Sequence, residues 1–105
     1  MVRPIVHLVL HFLLPGVVAR RFFADRWKLA WLAMVMTMVI DLDHLLASPI
    51  YDPNRCGIGF HPLHSYGAIG VYALMALVAK TRIVGVGLLI HIALDGLDCL
   101  WMDLP

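Results

Sequence analysis

The sequence has no glutamate, few charges of either sign and only two cysteines. Charged residues make up 14% of its 105 residues, against 62% hydrophobic. A soluble domain of this size has too much surface to cover with so few charges, which excludes an ordinary soluble enzyme or binding module. A net charge of +1 excludes the basic footprint of a nucleic-acid binder. There are no internal repeats, no low-complexity tract and no soluble appendage, so the chain reads as one domain over residues 1–105. All seven acidic residues are aspartates, and they sit in a background of mean hydropathy +0.87.

What is present is apolar sequence in runs near membrane-spanning length. Four segments, about 4–19, 28–48, 62–79 and 83–101, read as transmembrane helices. Strands are disfavoured because lipid leaves an open sheet edge without partners, and four spans cannot close a barrel. The short connections at Arg20–Arg26 and Lys80–Arg82 imply helical hairpins. The expected fold is therefore all-α, an integral membrane four-helix bundle running up-down-up-down. The longest connection is a loop over 49–61, rich in turn formers.

Lys and Arg set the orientation. Arg20, Arg21, Arg26, Lys28, Lys80 and Arg82 flank the first and third loops, and only Arg3 and Arg55 lie on the opposite side. The positive-inside rule then places both basic loops in the cytoplasm and both termini outside. The first segment is not read as a signal peptide, because His7 and His11 interrupt it and its positive pair follows the apolar run instead of preceding it. Cys56 and Cys99 both fall on the outer side, where a disulfide can persist; two cysteines alone leave open whether they form one or remain two thiols.

The polar residues share one depth. His7 and His11 lie at the outer start of helix one, Asp41, Asp43 and His44 at the outer end of helix two, His61 and His64 at the start of helix three, and His91, Asp95 and Asp98 toward the end of helix four. On α-helical spacing, His7 and His11 share a face, Thr37, Asp41, His44 and Ser48 form a stripe, and His91, Asp95, Asp98 and Met102 form another. Asp43 falls roughly 200° around from Asp41 on an ideal helix and is expected to face a different partner. Gly67, Gly70, Gly85 and Gly87 are expected to let helices three and four pack closely. Ser65, beside a glycine, reads as a packing residue.

An aspartate at the centre of a spanning helix costs about 3 kcal/mol by insertion scales. A bound structural metal contributes about 10–16 kcal/mol in small domains, enough to offset several such groups. Imidazole with carboxylate suits zinc, with manganese or iron as alternatives. The expected metal ligands are His7, His11, Asp41, His44, His61, His64, His91 and Asp95. So many groups exceed one tetrahedral site, which allows one ion or two. A carboxylate left off the metal, Asp43 or Asp98, is the candidate general base.

The motifs Asp41-Leu42-Asp43-His44, His61-Pro62-Leu63-His64-Ser65 and His91-Ile92-Ala93-Leu94-Asp95 resemble those of the bacterial inner-membrane family of membrane-bound metal-dependent hydrolases. The run from Pro49 to Pro62 is similar to a smaller related family of unknown function, and this resemblance covers nearly the whole chain. The chain departs from the hydrolase family in having Pro62 where an arginine is common, and in being shorter. The resemblance implies a multi-pass protein of the bacterial inner membrane, with a metal-dependent hydrolytic site facing the periplasm.

The expectation is thus a hydrolase acting through metal-activated water on a lipid or lipid-linked substrate near the outer leaflet, with Arg3 and Arg55 available to pair a phosphate. The partners are the bilayer, that substrate and, for so short a chain, a second copy of itself in a homodimer. A divalent metal transporter is the alternative, since the Asp/His pairs resemble ligand pairs of cation-diffusion zinc transporters; against it, the inner halves of the helices carry no ionisable path. A haem carrier is disfavoured by the aspartates at the same level. A non-catalytic protein with a structural metal is the remaining reading.

Overall fold

The computed structural model describes residues 2–48 and 55–102. Residues 49–54, the first part of the expected outer loop and of the run that carries the family resemblance, lie outside the described residues. The described chain is all-helical, with no strand among the described residues. Helix α1 spans Val2–Phe22. After a 3-10 turn at Ala24–Arg26, α2 spans Trp27–Met36 and continues as a 3-10 segment, Thr37–Leu46. A second 3-10 turn, Pro62–His64, leads into α3, Tyr66–Leu77, and α4 spans Arg82–Met102.

Three stretches are long and apolar enough to cross a membrane: Val2–Phe22, Ala24–Leu46 and Arg82–Met102. Large apolar side chains on their outer faces, among them Leu13, Leu32, Leu45 and Leu97, are exposed, as lipid-facing residues are. This is a membrane protein by length and composition. The third helix differs from expectation. Its 12 residues rise only about 18 Å, short of the ~30 Å hydrocarbon core. The reason lies at its start, where Pro62 opens a separate turn and the α-helix begins only at Tyr66. Ser65 also takes another role. Its hydroxyl accepts a hydrogen bond from the Ala68 amide at 3.2 Å, making it the N-cap of α3 and not a mid-helix packing residue.

Helix α4 is the hub and packs against α1, α2 and α3. Two glycines permit this. A Cβ on Gly85 would overlap the backbone of Met75 and Ala76 on α3, and one on Gly87 would overlap the Met34 backbone on α2. Gly87 therefore serves the α2 contact, while Gly67 and Gly70 face open space and take no part in close packing. Sequence proximity alone assigned all four to the α3–α4 seam; only the helix faces separate them. The close approach is sealed by Arg82, which donates to the terminal α3 carbonyls of Ala76 and Leu77 at 3.0 and 3.2 Å, and by Thr81, which donates to the Met75 carbonyl at 2.7 Å.

The change from α to 3-10 at Thr37 positions the polar layer. The Thr37 hydroxyl and its amide both donate to the Met34 carbonyl, three residues back, which tightens the helix at that point. Ten residues is long for a 3-10 run. With three residues per turn, Thr37, Ile40 and Asp43 stack in one row, and all three are buried. Asp41 and His44 form the neighbouring row and stay partly exposed. The α-helical stripe through Thr37, Asp41, His44 and Ser48 is thus replaced. Asp41 and Asp43 come to flank the same histidine, where an ideal α-helix would turn them apart.

Candidate metal centre

Histidine and aspartate side chains of α1, the Thr37–Leu46 segment, the turn at Pro62–His64 with its preceding residue, and α4 meet in one layer. At its centre, four atoms converge: Asp41 Oδ1, His64 Nε2, His91 Nε2 and Asp95 Oδ2. His64 Nε2 lies 2.9 Å from Asp95 Oδ2 and 3.3 Å from Asp41 Oδ1. His91 Nε2 lies 3.2 Å and 3.1 Å from the same two oxygens. The two nitrogens are 3.3 Å apart. Ligand atoms on a tetrahedron of zinc-like radius stand about 3.3–3.4 Å apart, close to these spacings.

Hydrogen-bond accounting points the same way. Asp43 Oδ2 accepts from His64 Nδ1 at 2.9 Å and from the Leu63 amide at 2.9 Å. A carboxylate only accepts, so the His64 ring proton sits on Nδ1. Its Nε2 faces two carboxylate oxygens and a second imidazole nitrogen, a grouping that calls for positive charge, from a second ring proton or from a bound cation. His64 is fully buried, so bulk solvent does not supply that compensation. A cation at the centre satisfies all four atoms at once. An imidazole held through its far nitrogen by a carboxylate is the usual arrangement behind a metal-ligating histidine. The turn carrying His64 is itself pinned by Tyr72, whose hydroxyl donates to the Leu63 carbonyl at 2.7 Å.

The remaining candidates fall around this centre. His7 and His11 of α1 face the other oxygen of Asp95, at 3.0 and 3.4 Å. His44 and His61 group with Asp43. His44 Nδ1 lies 3.0 Å from its own segment's Asp41 carbonyl and 3.3 Å from Asp43 Oδ1, and its ring lies against His61 at 4.1 Å between centroids. Burial and the neighbouring His44 lower the pKa of His61 below its ordinary value, keeping the imidazole neutral. Asp43, expected as a base, is buried and holds His64 in place. Asp98 pairs with Arg3 at 3.4 Å, at the rim.

Beside the centre is an open cavity of about 370 Å³, with Asp41, His7, His44, His61, Asp95 and Asp98 on its polar wall and Arg55 at its edge. A disulfide between Cys56 and Cys99 ties the segment carrying His61 and His64 to the end of α4, one turn beyond Asp95. It settles the alternative that the two cysteines left open.

Sequence reading found every histidine and aspartate of the layer. Tyr72 and the Leu63 amide are not among the expected residues, and Thr37, expected on the α-helical stripe, acts instead through its bond back to the Met34 carbonyl. A threonine inside an apolar span and a tyrosine two turns after a buried histidine were the only signals. The chain belongs to a family of unknown function (DUF6122), which matches residues 1–102. No curated protein and no solved structure matches it.

Proposed function

We propose that this member of a family of unknown function is a membrane-embedded, metal-dependent hydrolase acting on a lipid or lipid-linked substrate near the outer leaflet. One observation carries the reading: two carboxylate oxygens and two imidazole nitrogens converge at metal-shell distances on the wall of an open cavity. A nitrogen–oxygen donor set of this kind suits zinc, with manganese or iron next. When bound there, such an ion lowers the pKa of a coordinated water from 15.7 to about 7.

The chain's own residues would divide the task. His64 and His91 hold the ion from the buried side, Asp43 fixes the His64 ring, and Asp41 and Asp95 reach it from the cavity side. Asp98, on the cavity wall, is placed to take a proton from water or hand one to a leaving group, while Arg3 holds its carboxylate. Arg55, at the cavity edge with its guanidinium over the Phe60 ring, offers a fork for a phosphate.

The proposed setting is the bacterial inner membrane, with an up-down-up-down path, both termini outside and the site toward the periplasm. The basic loops support it through the positive-inside rule, and the disulfide supports it because such bonds persist in oxidising compartments.

A second reading is a metal-binding protein without chemistry. Four protein ligands fill a tetrahedral site, the pattern of structural metals, and that observation favours it. Transport has less support, because the core beneath the layer is closed by Ala19, Ala30 and Met34. The test is purification in mild detergent without chelator, with bound metal measured by elemental mass spectrometry beside an Asp41→Ala/His91→Ala variant. Metal present in the wild type and lost in the variant, followed by hydrolysis of a phospholipid in mixed micelles, supports the hydrolase. Metal without turnover of any lipid ester supports the structural reading. No metal after reconstitution removes both.

A further inference from the structure

The central group uses only one oxygen of Asp95. The other, Oδ1, faces α1, where His7 Nε2 lies 3.0 Å away and His11 Nε2 lies 3.4 Å away. His7 and His11 are one turn apart, so α1 presents both rings side by side, 4.3 Å between centroids. His11 decides what this group is. Its Nδ1 lies 2.8 Å from the His7 backbone carbonyl. A carbonyl only accepts, so Nδ1 carries a proton, and Nε2 is aimed at the Asp95 oxygen. The His11 side chain is 3% exposed, and its Nε2 has no hydrogen-bond partner among the described residues. A carboxylate oxygen facing two imidazole nitrogens in a dry site calls for positive charge among them, which a bound cation supplies.

We propose that His7, His11 and Asp95 form a second divalent-cation site, and that Asp95 bridges it to the central one through its two oxygens. This rests on the central group being a metal site, as argued above. Paired sites of this kind hold their ions about 3.5–4 Å apart. The two sites differ in one respect that matters for chemistry. The central site has four protein ligands, and this one has three. His7 and Asp95 both line the open cavity, so the vacant position of the second site faces it. Three protein ligands with an open position is the pattern of sites that bind water and substrate, whereas four is the pattern of sites that hold structure. The structural objection to a hydrolase therefore applies to the central ion and not to its neighbour. Asp41, His64, His91 and Asp95 would hold the central ion between the Thr37–Leu46 segment, the Pro62–His64 turn and α4, while His7, His11 and Asp95 would hold the second, which would supply activated water at the cavity. Imidazole nitrogen with one carboxylate oxygen again suits zinc or manganese.

The experiment is a stoichiometric count on the full chain in detergent, stripped with chelator and reloaded with zinc. Elemental mass spectrometry should give two equivalents for the wild type and one for His7→Gln/His11→Gln. Loading the wild type with manganese should give an exchange-coupled electron paramagnetic resonance spectrum, and X-ray absorption should show a metal–metal distance of about 3.5–4 Å. These last two readouts need no variant, so they decide the matter even if the double substitution fails to fold. One equivalent in the wild type, uncoupled and unchanged in the variant, overturns the bridged site and leaves the central one standing; a protonated His11 would then be the cation facing Asp95. No metal under any condition overturns both.

Discussion

The two ends of this bundle are held together by different forces. At one end, Ala19, Ala30 and Met34 form an apolar cluster, Gly87 lies against Met34 and Gly85 against Met75 and Ala76, and backbones approach so closely that a single methyl group would not fit. At the other, beside an apolar cluster of Ile40, Tyr72, Leu88 and Ile92, five histidine and aspartate side chains are buried and pair across helices. In lipid, apolar side chains gain little by leaving one apolar environment for another, so helices associate through close van der Waals fit or through polar groups that must find partners. This protein uses the first device at one end and the second at the other. The first gives shape. The second gives a site, whose histidine and aspartate clusters could hold a metal ion.

The contrast can be broken most completely at Asp95, which serves both proposed ions. Asp95→Asn should reduce bound metal to background by elemental mass spectrometry. Retention of one full equivalent would sink the bridging role. Asp43→Asn removes the charge behind His64 without touching the ion. It should weaken zinc affinity about 10–100-fold in a competition titration, as loss of such supporting carboxylates does. An unchanged affinity would mean that Asp43 is only a backbone clamp for the Leu63 amide.

At the apolar end, Gly87→Ala should cost about 1–3 kcal/mol in detergent unfolding, because the new methyl group meets the Met34 backbone. Gly67→Ala, facing open space, should cost nothing measurable. Equal effects at the two positions would remove the distinction between Gly87 at a helix contact and Gly67 in open space. The smallest change tests the join between the two regimes. Tyr72→Phe removes the hydrogen bond that pins the Pro62–His64 turn and should cost about 0.5–1.5 kcal/mol, with metal stoichiometry unchanged. Loss of metal in that variant would place Tyr72 inside the site's essential support.

Much of the site was legible because charge in an apolar span is conspicuous. Asp41, His91 and Asp95 stood out where lipid penalises them. The grouping was less legible. Spacing rules for an α-helix put Asp43 on the wrong side of Asp41, because nothing in a local pattern announces that Thr37 will bond back to Met34 and tighten ten residues into a 3-10 helix. The glycines were visible too, but which seam each one served depended on helix faces that only packing determines.

The sequence by itself determined that the chain is helical and membrane-embedded, and that its histidines and the aspartates of its apolar spans share one level. Composition, run length and the solvation cost of charge are local properties, and they suffice for that. Only the tertiary structure decided that Cys56 joins Cys99, that α3 is too short to span alone, that Asp43 backs His64, and that the two oxygens of Asp95 face different pairs of histidines. Those outcomes depend on how four helices, distant in sequence, rotate against one another. That rotation is set by where backbones can touch and where buried lone pairs can be satisfied.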